Sequence, residues 1–128
     1  MLNLLKKRKF ILWFKEIDGR DGALVGGKTA NLGEMYNKLH SKGVPVPGGF
    51  AVTASAYKYF ISESKLSAKI EELLSKINKK NIKTLQTNGE KIRELIENAE
   101  MPEKLEKEIA SAWAKMLKEY GETLSILD

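Results

Sequence analysis

The chain has no cysteine, a single histidine and only three prolines among its 128 residues. Without thiols it can form neither a disulfide framework nor a thiolate metal site, and a reducing cytoplasm is the expected compartment. His40 alone cannot build a histidine cluster around a metal, so no metal ligands are assigned. Long apolar runs are missing too. A membrane span needs about 20 apolar residues. The run FILWF at residues 10–14 is far shorter, and too short for the apolar core of a signal peptide. An excess of one charge sign is absent over most of the chain. The formal net charge is +5, but Lys6, Lys7, Arg8 and Lys9 carry four of those charges and leave 18 bases against 17 acids elsewhere. The basicity therefore belongs to a tail, residues 1–11. That tail reads as a frayed, solvated terminus, or alternatively as a weak polyanion-binding arm. Neither a specific nucleic-acid partner nor a membrane is expected.

What is present is a core. Apolar residues make up 42% of the chain, and a domain of this size can bury roughly two thirds of the surface its unfolded chain exposes. Most of the pattern is helical. After FILWF, read as a buried opening strand, KTANLGEMYNKLHSKG places Leu32, Met35 and Leu39 at helical spacing and ends at Gly43, a natural left-handed stop. GVPVPGGFAVT holds the backbone extended, because residues before proline avoid helical angles, and residues 50–52 complete a second short strand. Thr53 is placed to cap a helix in which Ala56, Tyr57 and Phe60 share a face. Three more helices follow. One carries Leu66, Ile70, Leu73, Leu74 and Ile77. The next runs over residues 82–99 with Gly89 in its interior. The last starts at Pro102 and carries Leu105, Ile109, Trp113, Met116, Leu117 and Tyr120. These stripes read as core. The expected fold is helix-rich α+β, with a few short strands and about five helices.

The segment GALVGGKT, residues 22–29, matches the phosphate-loop pattern of glycine, four residues, glycine, lysine and threonine. Such a loop works when a buried strand runs into the first glycine and a helix starts at the lysine. The helix is in place. The preceding KEIDGRDG is a polar loop rather than a strand, and its Glu16, Asp18 and Asp21 are expected to face water. The one candidate for a magnesium-holding acidic strand is LSILD at residues 124–128. The expectation is therefore a phosphate contact without a closed phosphate loop. Gly26 and Gly27 present no side chains to block a ligand, and Lys28 opens a helix whose N-terminal N–H groups favour an anion. A glycine turn beside a solvated lysine is the alternative. Glu34 pairs with Lys38 one helical turn on, and nothing resembles a nucleophile with its base.

LVGGKTANLGEM followed by GVPVPGGFAVTASAY resembles the N-terminal region of the family that includes phosphoenolpyruvate synthase and, more distantly, pyruvate phosphate dikinase and rifampicin phosphotransferase. The resemblance extends from about Leu12 through KIRELIENAEMPEKLEKEIASAWAKM. It implies an ATP-grasp-like nucleotide-binding region over residues 12–128, incomplete, with Lys28 of the GGK motif on the ATP phosphates. In such enzymes ATP phosphorylates a histidine on a separate domain, and the phosphohistidine then converts pyruvate to phosphoenolpyruvate. The overall reaction takes ATP, pyruvate and water to AMP, phosphoenolpyruvate and phosphate, with magnesium. His40 does not match that histidine. Family members continue into a strand bearing an Arg-Ser-Ser-Ala-Thr run and a second nucleotide lobe with metal-binding acids. The expectation is one jaw of an ATP site: a fragment, a subunit of a split enzyme completed by the remainder of a dikinase, or a stand-alone binding or regulatory module. Alone it should make no phosphoenolpyruvate, should hold ATP weakly or not at all, and should leave a sheet edge near residues 50–52 open to association.

Overall fold

The computed structural model describes the backbone of residues 2–124, with side chains for residues 4–121. Residues 125–128, most of the LSILD segment, lie outside the described residues. Among the described residues, seven α-helices and two strands follow in the order α1 (Leu2–Lys6), β1 (Ile11–Trp13), α2 (Gly22–Val25), α3 (Gly27–His40), β2 (Phe50–Val52), α4 (Ala54–Glu63), α5 (Ser67–Ser75), α6 (Ile82–Glu97) and α7 (Glu103–Leu124). The five helices expected from periodicity are α3 to α7. The two unexpected ones, α1 and α2, fall in the basic tail and in the glycine segment.

The chain forms two compact units, one made of the residues up to 57 with those from 103 onward, the other of residues 58–102. In the first, β1 and β2 pair antiparallel with Ile11 opposite Val52, Leu12 opposite Ala51 and Trp13 opposite Phe50. The pleat sends Leu12 and Ala51 inward. Both are buried and join Ile17, with Phe14, Leu24 and Val25 packed against them. Ile11, Trp13, Phe50 and Val52 take the opposite face, where the rings of Trp13 and Phe50 meet at 5.4 Å. The strands read apolar on both faces, which is why FILWF lacks the alternation of a half-exposed strand. Thr53 caps α4 as expected, its Oγ1 accepting the Ala56 N–H at 3.3 Å. The same hydroxyl donates to the Lys9 carbonyl at 2.6 Å, fastening the start of the helix to the entry of β1.

The second unit is built on α5 and α6 with the later part of α4. Phe60 and Leu73 are its buried apolar residues, and Asn88 Nδ2 donates to the Leu73 carbonyl at 3.2 Å. Asn81 caps α6 through its side chain, which accepts the Lys83 N–H at 3.1 Å.

Three expectations need correction. The tail is not frayed, because residues 2–6 are helical, Lys6 Nζ binds Asp21 at 2.8 Å and Lys9 Nζ binds Glu16 at 2.7 Å. The apolar stripes are core only in part. Leu105 and Ala112 are buried, but Trp113 is 54% exposed, Leu117 52% and Ile82 70%. Helical periodicity marks a face as apolar without supplying its partner. Finally, Asp21 does not face water. It is 5% exposed and accepts both Lys6 and the Asp18 N–H, the latter at 3.0 Å.

Candidate functional site

The stretch before the glycines is ordered by its own carboxylates. Residues Gly19–Asp21 form a 3-10 turn in which the Asp18 side chain accepts the Arg20 N–H at 2.9 Å while Asp21 accepts the Asp18 N–H. This reciprocal capping, three residues apart, is what the Asp-Gly-Arg-Asp spacing encodes. Arg20 also grips Asp18 through Nε at 3.0 Å and Nη2 at 2.9 Å. Those hydrogen bonds hold the Asp18 carboxyl well below the usual carboxylate range. One turn earlier Glu16 accepts the Trp13 N–H at 2.9 Å. Burial raises the Glu16 pKa, but Lys9 and the Trp13 N–H outweigh it and leave it lowered.

This arrangement disposes of the closed phosphate loop. No strand leads into Gly22, and residues Gly22–Val25, which would form the body of such a loop, are wound into α2. Gly26 then breaks the helix with φ 82° and ψ 156°, a region that disfavours a side chain. It serves as N-cap of α3 without any side-chain cap. The first intrahelical bond at this end is Ala30 N–H to the Gly26 carbonyl at 3.0 Å. The N–H groups of Gly27, Lys28 and Thr29 therefore precede the hydrogen-bonded turns, at the positive end of a 14-residue helix. Gly26, Gly27 and Lys28 are all exposed. The structure thus brings the three expected residues together at one helix start, with a lysine charge beside open N–H groups. Chemically such a turn can hold an anion by its backbone and one ammonium.

The helix is fixed from behind. Gly33 lies against the Ile17 turn with no room for a side chain, and Asn37 Nδ2 donates to the carbonyls of Ile17 at 2.9 Å, Gly33 at 3.0 Å and Phe14 at 3.2 Å. Asn37 is the positioning residue that pattern reading passed over, and Asp21 the one it placed in water. Glu34 pairs with Lys38, as expected. His40 stacks on Tyr36 with ring centroids 5.0 Å apart. Gly43 closes α3 at φ 77°, with the Val44 N–H on the Leu39 carbonyl at 3.1 Å. Among the described residues no three of His, Cys, Asp or Glu come together to hold a metal ion, and no helix is long and apolar enough to cross a membrane.

Residues 22–127 match the family described as the pyruvate phosphate dikinase AMP/ATP-binding domain. The chain belongs to that family of nucleotide-binding domains. Among individual proteins it is similar to phosphoenolpyruvate synthase of Synechocystis, with 42% identity over 119 residues, 93% of this chain and 14% of that protein. It is 45% identical over 121 residues to a probable phosphoenolpyruvate synthase of Staphylothermus marinus, covering 94% of this chain and 14% of the relative. With that of Methanocaldococcus jannaschii it shares 46% over 114 residues, 89% of this chain and 9% of the relative. The chain thus spans about a seventh or less of the length of these relatives, as expected of a fragment of a dikinase.

Proposed function

We propose that this chain provides one side of the ATP site of a phosphoenolpyruvate synthase-like dikinase, and that Lys28 with the N–H groups following Gly26 and Gly27 holds the ATP phosphates. The carrying observation is the uncapped start of α3. A glycine in a conformation closed to most side chains exposes backbone N–H groups, and a lysine stands among them. The similarity to phosphoenolpyruvate synthases supports ATP as the anion and pyruvate as the acceptor in the complete enzyme, the latter through domains other than this one. An ATP-grasp-like arrangement, with the nucleotide between two lobes, fits a site whose near wall is a single exposed turn. Magnesium belongs to the complete reaction, but the described residues do not fit it, since they offer no cluster of carboxylates. Here the chain's own task is to bind and orient phosphate oxygens.

The reading predicts weak binding by the chain alone. One charge-assisted contact contributes about 1.5 to 3 kcal/mol, and a dissociation constant of about 1 mM corresponds to roughly 4 kcal/mol. Titration of the 128-residue chain with ATP, followed by the backbone amide signals of residues 26–29, should give millimolar affinity or weaker, further weakened by Lys28→Ala. Shifts that spare residues 26–29, or that Lys28→Ala leaves unchanged, would contradict it.

A further inference from the structure

The sequence has a single asparagine followed by glycine, Asn88 before Gly89, and the pair falls in the middle of α6 in the second unit. The Asn88 side chain holds the end of α5. In the last turn of a helix the carbonyls run out of intrahelical donors and need partners from elsewhere. The Glu72 carbonyl takes the Ser75 hydroxyl at 2.7 Å, and the Leu74 carbonyl takes the Ile77 N–H at 3.1 Å. The Leu73 carbonyl takes Asn88 Nδ2 at 3.2 Å. Leu73 is also the buried residue of α5. We propose that Asn88 is a site of spontaneous deamidation, gated by the opening of α6, and that its conversion releases α6 from α5.

The reaction needs only water. The Gly89 backbone nitrogen attacks Asn88 Cγ, so that an N–Cγ bond forms as the Cγ–Nδ2 bond breaks. Ammonia leaves, taking up the proton that the Gly89 nitrogen gives up, and a five-membered imide remains. Water then opens the ring. Addition at Cγ gives aspartate with the backbone intact, and addition at the Asn88 backbone carbonyl gives isoaspartate. A side chain on the following residue hinders the first attack, and glycine has none.

The fold holds this step back. Inside α6 the Gly89 N–H is directed at the carbonyl one helical turn earlier, and the Asn88 amide is turned to Leu73 rather than to its own backbone. Attack therefore requires residues 88 and 89 to leave the helix. Glycine eases that opening, being the weakest helix former after proline. None of the residues of α6 is buried, and an element with few buried contacts opens locally at low cost. Conversion then removes the tie. A carboxylate at position 88 has no N–H to give and stands against the Leu73 carbonyl at the negative end of α5. Isoaspartate adds a backbone atom that breaks the helical repeat. The second unit thus carries a slow, one-way change that records how often α6 opens. The inference does not rest on the role given to Lys28.

The test ages the 128-residue chain in mildly alkaline buffer, folded and in urea, with peptide mass mapping for replacement of the amide NH2 by OH and isoaspartate detection at residue 88. In urea Asn88 should convert ahead of every other asparagine. In the folded chain it should convert about tenfold more slowly or less, the factor by which closed α6 outnumbers open. Gly89→Ala, which has room for its methyl group, should slow folded-state conversion by about fivefold or more through helix propensity alone. Asn88→Asp should speed amide exchange in α5 and α6 by about tenfold, and by more than Asn88→Ala, which loses the hydrogen bond without adding a charge. The converted fraction of the aged parent chain should show the same faster exchange, so the comparison does not require the variant to fold. Equal rates in the folded chain and in urea, conversion led by another asparagine, no slowing by Gly89→Ala, or unchanged exchange after conversion would each overturn the proposal.

Discussion

A β-carbon placed on Gly33 would lie 2.6 Å from the Cβ of Ile17 and 2.8 Å from its carbonyl oxygen. The helix that begins at the glycine–lysine turn can therefore approach the Ile17 turn only because residue 33 has no side chain. Ile17 is itself fully buried in the core with Leu12.

Gly33→Ala and Gly89→Ala should act with opposite signs. At residue 33 the methyl group meets backbone, and overpacking of about 1 to 3 kcal/mol outweighs the helix-propensity gain of roughly 1 kcal/mol. At residue 89, inside α6, the nearest atom is the flexible Arg93 guanidinium at 3.7 Å, so the propensity gain stands. Urea unfolding of the two variants checks this, and the same sign for both would refute it.

Asp21 ties the tail to the turn before the glycines. Asp21→Ala removes an almost buried carboxylate that serves both Lys6 and the Asp18 N–H. It should cost about 2 to 3 kcal/mol, while Asp21→Asn, which still accepts from Asp18, should cost about 1 kcal/mol. Chemical denaturation measures both. Equal costs would mean that the backbone contact is unimportant.

Glu72 of α5 accepts hydrogen bonds from Lys76, which follows the helix, and from Lys69 within it, and these lower its pKa from 4.5 to about 2. A carboxylate held low in the folded state contributes stability above its unfolded pKa and loses it as pH falls through the folded value. The contribution should thus be present at neutral pH and fade between about pH 4.5 and 2. Carboxyl NMR of Glu72 should show a midpoint near the lower end. In Lys76→Ala the midpoint should move up, since the hydrogen bond from Lys76 is the largest cause. A midpoint near 4.5 in the parent chain would contradict the pairing.

Residues 10–14 and 50–52 announced strands through apolar and β-branched or aromatic content, the first found shorter, at Ile11–Trp13, because Phe14 enters a 3-10 turn, and α3 to α7 were announced by helical spacing with stops at Gly43 and starts near Thr53 and Pro102. The glycine–lysine turn was legible for the same reason, because the helix after it is strongly patterned. The polar stretch over residues 15–22 was not. Its order comes from carboxylates folding back on backbone N–H groups two or three residues away, and composition alone cannot separate that from a solvated loop. The stripe through Trp113 and Leu117 was legible as apolar but not as exposed, since burial depends on a partner that local spacing does not contain.

The most direct measurement is a pair of half-reactions in a complete dikinase carrying this segment, with and without Lys28→Ala, and circular dichroism as the folding control. Loss of a charged phosphate contact of about 1.5 to 3 kcal/mol should slow ATP-driven phosphorylation of the enzyme's histidine by about 10- to 150-fold. Phosphorylation of the same histidine by phosphoenolpyruvate, run in reverse at the other site, should remain within about twofold, because no ATP contact is used there. Equal loss in both directions, or loss of helical signal, would contradict a phosphate-binding role for Lys28.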